Sequence, residues 1–278
     1  MSPHPRLLHR AVSPEALAQE ASARPATRPP HPSPRGPSEE WSVRRDPPPG
    51  TLLPFRLRHT PVPSNTRREG ARRALNIVVA ALGLILTSPL MLLIAGWIRF
   101  SSPGPVLFRQ TRVGLNRRGP AYPRRRVRRN DDLGGCPFTM YKFRTMRVEA
   151  ENGRQVWASP DDDRVTPVGR ILRRLRLDEL PQLWNVLRGD MNVVGPRPEQ
   201  PTIFVELRGQ IEGYQERQQV RPGITGWAQI NQAYDRTVDD VRRKLAFDLE
   251  YILRESTLQD VRIMLRTVPV MLGGRGSW

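Results

Sequence analysis

The chain has 278 residues, a formal net charge of +18 and a hydrophobic content of 38%. Its one cysteine, Cys136, excludes an intrachain disulfide or a zinc site built on cysteines. All four histidines (His4, His9, His31 and His59) lie near the N-terminus, so acid–base and metal chemistry beyond them falls to carboxylates, tyrosines, arginines and two lysines, Lys142 and Lys244.

Fifteen of the 29 prolines precede Ser64, among Arg, Ser and Ala. Such a segment buries too little apolar surface to offset its chain entropy, so residues 1–65 are predicted to be a disordered Pro/Arg-rich tail. No apolar run of a secretory signal follows its first charges. The charge excess is almost wholly arginine, which suits nucleic acid, an anionic membrane face or phosphorylated small substrates, and composition does not choose among them.

Ala74–Ile98 is a 25-residue stretch without a charge, where about 20 apolar residues cross a bilayer. Arg67, Arg68, Arg72 and Arg73 precede it, and Arg99, Arg109 and Arg112 follow. Basic flanks stay on the cytoplasmic side, and a simple crossing cannot satisfy both. Thr87, Ser88 and Pro89 sit in the middle of the stretch; Pro89 lacks an amide donor and clashes with the preceding turn, while a nearby hydroxyl can satisfy a freed carbonyl. As a helix, Leu75–Thr87 rises only about 20 Å, too little to cross the core. Residues 66–100 are therefore predicted to form a re-entrant membrane helix bent at Ser88–Pro89, with a kinked spanning helix as the alternative.

Val106–Gly114 and Phe138–Met146 read as the arms of a β-hairpin. Between them lies an Arg-rich insertion, residues 116–136; nine arginines and no acid occur from Arg109 to Arg129. It is either a solvated loop or a contact for anionic headgroups or a polyanion. Further on, Val168, Ile171, Leu172 and Leu175 form a helical stripe opposite Arg170, Arg173, Arg174 and Arg176. A second short helix carries Leu180, Leu183, Trp184 and Leu187 and stops at Gly189. Val238, Val241, Leu245, Leu249 and Ile252 make another stripe, with Thr237 as N-cap and Asp240 three residues on. The last segment, Leu258–Leu272, is amphipathic and suits a membrane surface or packing on the domain equally.

The chemistry centres on LRLDELPQLWNVLRGD. Pro181 is tolerated in a first helical turn, which puts Asp178 near an N-cap and Glu179 in the first turn. Two carboxylates there, with Arg173 one turn upstream, suit a hard cation such as Mg²⁺ bridging to phosphate. Asp is also an ordinary N-cap residue, so the pair alone does not decide the matter. Two rigid loops follow. VVGPRPE at Val193–Glu199 directs Arg197, and RPGITGWAQ at Arg221–Gln229 begins with Arg221. Arg217 and Arg221 suit phosphate, and Tyr214, Arg217 and Arg221 read equally as a structural network.

In this order, KFRTM (Lys142–Met146), LDELPQLWNVLRGDMNVVGPRPE (Leu177–Glu199) and YQERQQVRPGITGWAQIN (Tyr214–Asn231) resemble the bacterial sugar transferase family, over about residues 67–273. These are monotopic polyprenol-phosphate sugar-1-phosphate transferases. The resemblance implies a mainly helical α+β fold, with the re-entrant helix followed by a catalytic domain over 101–273. That domain would carry a short β-hairpin and interfacial amphipathic helices on the cytoplasmic face of the inner membrane. It implies transfer of a sugar-1-phosphate from a nucleoside diphosphate sugar, usually a UDP-sugar, to a polyprenyl phosphate, as in exopolysaccharide synthesis. Asp178 would take the phosphosugar covalently, Glu179 would stand beside it near Mg²⁺, and Arg173 would contact phosphate. Arg197 and Arg221 are candidate phosphate ligands in this scheme, and Arg217 is carried with them. Membrane lipid is an implied partner, a homodimer is compatible, and nucleic acid is not expected. The family usually has a short turn where this chain has its insertion. A membrane-tethered polyanion-binding protein is the competing reading; it accounts for the arginines but not for the ordered motifs.

Overall fold

A computed structural model describes residues 66–116, 134–147, 162–232 and 237–272. The predicted tail, residues 1–65, and most of the Arg-rich insertion lie outside the described residues.

Helix α1, Thr66–Ser101, runs unbroken through Pro89. At Ser88–Pro89 the helix exchanges hydrogen bonds. Proline offers no amide to the carbonyl four residues back, that of Ile85. Ser88 Oγ donates to that carbonyl at 2.8 Å, and Thr87 Oγ1 donates to Gly83 O at 2.7 Å. One side of α1 meets protein: Arg72, Asn76, Ala80, Ile94 and Ile98 are buried. The other presents Leu82, Ile85, Leu86, Leu92, Leu93 and Phe100, the last 92% exposed. Only 11% of its most apolar window is buried, so its length and composition suit a membrane, and none of the described residues covers its outer face.

Strands β1 (Leu107–Val113) and β2 (Pro137–Phe143) form the antiparallel hairpin expected, with Leu107 opposite Phe143 and Val113 opposite Pro137. Helix α2, Pro167–Arg174, starts at Thr166, whose hydroxyl accepts from the Gly169 amide at 2.9 Å. Its apolar stripe divides: Val168 and Leu172 are buried, whereas Ile171 and Leu175 are exposed. A 3-10 turn, Leu177–Glu179, precedes α3, Gln182–Arg188, which ends at Gly189 in the left-handed region (φ 85°).

Strands β3 (Asn192–Val194) and β4 (Gly223–Thr225) pair in parallel, with Asn192 opposite Gly223. Their motifs read as loops because three residues are too few to show alternation. The pairing needs glycine: a Cβ on Gly223 would lie 2.1 Å from the Gly195 amide, and one on Gly195 would lie 2.4 Å from Arg221 O. Between these strands come α4, Pro201–Gln210, and a second 3-10 turn, Tyr214–Gln219. Helix α4 was not anticipated; its buried residues are Phe204 and Leu207.

After α5 (Trp227–Asn231), helix α6 (Val238–Arg254) opens with the expected capping box of Thr237 and Asp240. It buries Val241, Leu245, Leu249 and Ile252. Helix α7, Thr257–Leu272, buries Asp260 and Ile263 while exposing Leu258, Leu265 and Val268. It therefore packs on the domain with one face and leaves the other apolar.

Three apolar clusters hold these elements. The largest gathers Phe204, Tyr214, Leu245, Leu249 and Ile263 from α4, α6, α7 and the second 3-10 turn. The second joins Ile94 and Ile98 of α1 to Phe143, Val168 and Leu172. The third joins Ala80 of α1 to Met140, Val186 and Met191. Polar ties fix α1 as well: Arg72 bonds Asp260 Oδ2 at 3.0 Å and the Tyr251 hydroxyl at 2.7 Å. The Asn76 side chain accepts from the Val193 amide. The first turns of the apolar helix are thus tied into the catalytic-motif domain.

Candidate active site

Asp178 and Glu179 sit in the first 3-10 turn and not in α3, which begins three residues later. The turn follows Arg176, the one non-glycine residue with positive φ among the described residues (φ 54°). A left-handed conformation is unfavourable for an L side chain and persists only where its surroundings impose it. The local amides are already used: Glu179 N donates to Arg176 O, Leu180 N to Leu177 O, and Trp184 N to Pro181 O. Most of the backbone donors expected to make a helix-terminus anion site are thus taken up within the turn itself.

Both carboxylates are buried, Asp178 at 8% and Glu179 at 7% exposure. Glu179 Oε1 accepts from Lys142 Nζ at 3.0 Å and from Arg197 Nη2 at 2.9 Å. Its Oε2 lies 3.8 Å from Arg176 Nη1. Burial disfavours the charge on Glu179, but Lys142, Arg197 and Arg176 prevail and hold it well below the usual carboxylate range. Asp178 differs. It accepts no hydrogen bond and forms no ion pair among the described residues. Burial pushes Asp178 up, Lys142 pulls against that, and the Glu179 charge adds to the rise.

Lys142 comes from β2, and burial lowers its pKa against the pull of Glu179. Asn185 fixes the distance between β2 and α3: its amide donates to Thr139 O at 2.7 Å and accepts from the Tyr141 amide at 3.1 Å. Arg173 donates to Thr145 Oγ1 at 2.9 Å and is near enough to act on Asp178. Arg112 of β1 donates to Pro198 O at 3.0 Å. Burial pushes Arg112 down to about 10, which leaves it charged at neutral pH.

The structure thus brings Asp178, Glu179, Arg173 and Arg197 together. It does not bring Arg221 to them. Arg221 donates to Gly189 O at 3.1 Å, at the opposite end of α3. Arg217 is also no open phosphate ligand. It is 1% exposed and engaged with Asp248, Glu199, Tyr214 and the Arg197 carbonyl. The structural half of its two sequence readings holds, because an interior guanidinium must spend its donors on interior acceptors.

Sequence reasoning did not assign Lys142, Arg112, Arg176 or Asn185 to the site. Lys142 carried a signal, being one of two lysines and part of KFRTM. The others look like surface arginines and an ordinary helix asparagine until the chain is folded.

The residues present fit a Mg²⁺ ion. Among the described residues Asp178 is a desolvated carboxylate with no donor, and Glu179 Oε2 meets Arg176 at 3.8 Å. No group of three or more acidic, histidine or cysteine ligands occurs among the described residues. Mg²⁺ takes one or two carboxylates and completes its shell with water and substrate phosphate, so Asp178 and Glu179 are the residues that could hold it.

Comparison with known proteins converges on the same motifs. The family model described as bacterial sugar transferase matches residues 67–274. A UDP-glucose:undecaprenyl-phosphate glucose-1-phosphate transferase of Caulobacter vibrioides is 42% identical over 244 residues, 87% of this chain and 80% of that protein. A UDP-N-acetylgalactosamine-undecaprenyl-phosphate N-acetylgalactosaminephosphotransferase of Aeromonas hydrophila is 41% identical over 206 residues. That match covers 74% of this chain and 44% of the relative. An Escherichia coli protein with the same name as the Caulobacter one is 43% identical over 71% of this chain, which spans 39% of it. The chain therefore spans less than half the length of two of these three relatives. With the family model covering the apolar helix and every motif of the site, the chain belongs to the bacterial sugar transferase family.

Proposed function

We propose that this chain transfers a sugar-1-phosphate from a UDP-sugar to a polyprenyl phosphate such as undecaprenyl phosphate, the first membrane step of an exopolysaccharide or related glycan. The observation that carries this reading is the asymmetry of the two carboxylates. Glu179 Oε1 accepts from both Lys142 and Arg197, while Asp178, equally buried, has no donor among the described residues. A carboxylate without partners, facing cations that can take up phosphate charge, is equipped as a nucleophile.

In the first half-reaction an Asp178 oxygen attacks the phosphorus that bears the sugar. The bond from that phosphorus to the bridging oxygen breaks, and uridine monophosphate leaves with the electron pair. In the second, a phosphate oxygen of the polyprenyl phosphate attacks the same phosphorus. The bond to Asp178 breaks, giving the polyprenyl diphosphosugar and a regenerated carboxylate. Lys142, Arg173 and Arg197 orient the phosphates and offset their charge. Glu179 holds Lys142 and Arg197 in place. A bound Mg²⁺, held by Asp178 and Glu179, would supply Lewis-acid neutralisation of the phosphate oxygens.

Membrane attachment is supported by α1, whose apolar outer face is uncovered among the described residues. A re-entrant helix with both ends on the cytoplasmic face is the topology that the flanking arginines and Pro89 favour. It would put the site where a soluble nucleotide sugar and a lipid phosphate can meet. The test is incubation of the chain with undecaprenyl phosphate, Mg²⁺ and a panel of radiolabelled UDP-sugars. Label is expected in the lipid fraction from at least one donor, and none from any donor would sink the reading.

A further inference from the structure

We propose that Arg217 is a positioning residue, an interior guanidinium that fixes the direction from which Arg197 reaches Glu179. This inference rests on the transferase reading above.

Arg197 is the point where two networks meet. Its side chain donates to Glu179 Oε1 at 2.9 Å, and its own carbonyl accepts from Arg217 Nη2 at 3.0 Å. It sits in a loop that could not orient it unaided. Pro196 and Pro198 have no amide to donate, so the backbone from Pro196 to Glu199 is held largely through its carbonyls. Each of the four finds a donor outside the loop. Gly223 N serves Pro196 O at 3.0 Å, and Val113 N serves Glu199 O at 2.9 Å. Arg112 Nη1 serves Pro198 O at 3.0 Å, and Arg217 serves Arg197 O. The loop is thus suspended from β1, β4 and the second 3-10 turn, with Arg217 gripping the residue that touches the site.

Arg217 is itself over-determined. Its Nε donates to Asp248 Oδ2 at 2.8 Å, and its Nη1 donates to Glu199 Oε1 at 3.3 Å and to the Tyr214 hydroxyl. The guanidinium also lies 4.9 Å from the Tyr214 ring centroid. Lys244 of α6 donates to the same Glu199 oxygen at 2.9 Å. Helix α6 therefore anchors both Arg217 and the end of the loop. A buried ion pair is poor at adding net stability, because desolvation consumes most of its Coulomb gain. What a planar fork adds is direction: four bonds from one rigid group to a helix, a turn and two residues of the loop. Lysine would carry the same charge but only three donors on a flexible stem, and could not reproduce that grip.

The experiment is a mutant cycle on the full chain in vesicles containing undecaprenyl phosphate, with UDP-glucose and UDP-N-acetylgalactosamine as donors. Arg217→Lys is measured in the wild-type background and in an Arg197→Lys background. Misplacing a phosphate-facing group by about 1 Å can cost up to a hundredfold. The expected loss of kcat is between about tenfold and a hundredfold in the wild-type background, with KM moving much less. In the Arg197→Lys background the loss should largely vanish, because the rigid guanidinium being aimed has already been replaced by a flexible ammonium that needs no fixed direction. Loss by the same factor in both backgrounds, or none in the wild-type background, would overturn the inference alone. Absence of transfer by the wild-type chain with every donor would overturn the transferase reading and this inference with it. Should Arg217→Lys fail to fold, Tyr214→Phe removes one partner hydroxyl at constant shape and runs through the same cycle. A few-fold loss confined to the wild-type background is then expected, and an equal loss in both overturns the proposal.

Discussion

Replacing Glu179 by glutamine should destabilise the domain as well as impair its chemistry. The substitution keeps shape but removes the negative charge facing Lys142 at 3.0 Å and Arg197 at 2.9 Å. The Lys142 side chain is only 16% exposed, so water cannot replace the lost partner cheaply. Breaking a buried pair by removing one member costs about 3–5 kcal/mol. Asp178 remains within electrostatic reach of Lys142, and losing its charged neighbour eases its own ionisation. The low end, about 3 kcal/mol, is therefore expected, which for a domain of this size lowers Tm by roughly 6–12 °C. The pH dependence gives an independent check. The folded pKa of Glu179 lies below its unfolded value, so its contribution is complete above about pH 4.3 and fades as the pH falls through that value towards the folded pKa. The gap between wild type and Glu179→Gln should be full at neutral pH and about 2 kcal/mol smaller at about pH 3. Thermal unfolding of both proteins in detergent across that range measures it. A Tm shift under about 2 °C at neutral pH, or a gap that ignores pH, would refute the electrostatic account of the site.

Asp178→Asn should abolish transfer and the appearance of label on the protein from a UDP-sugar labelled in the sugar, while leaving Tm within a few degrees, because the replaced carboxylate bonds none of the described residues; retained protein labelling would assign the nucleophile elsewhere. Gly169→Ala should be strongly disruptive, since its Cβ would lie 2.0 Å from Thr145 O, with the backbone that presents Arg173 and Thr145 forced apart. A Tm unchanged to within about 2 °C would contradict that packing. Pro89→Ala restores the amide donor to Ile85 O and removes the ring clash, so the re-entrant form loses its advantage over a straight span. An N-terminal tag should then become partly accessible from the periplasmic side of intact spheroplasts; a tag that stays inaccessible, as in the wild type, would mean that Pro89 does not set the topology.

The sequence by itself determined the elements whose signals are local. A charge-free run declares an apolar helix, Thr237 and Asp240 declare a cap, and two alternating segments declare a hairpin. It also determined the nucleophile candidate, because Asp178 and Glu179 are adjacent in the chain and set in a specific motif. Tertiary structure decided everything that depends on residues far apart in sequence. Whether an arginine is an open ligand or an interior brace cannot be read from its neighbours: Arg197, Arg217 and Arg221 look alike, yet one meets Glu179, one is sealed behind it, and one caps the far end of α3. Which carboxylate receives the cations was decided in the same way. Lys142 arrives from a strand 36 positions before Asp178 and bonds Glu179, on a strand that Asn185 ties to α3. Local pattern reports which groups are present; only packing sets which oxygen each cation reaches, since Coulomb and hydrogen-bond energies depend on distances that the fold alone fixes.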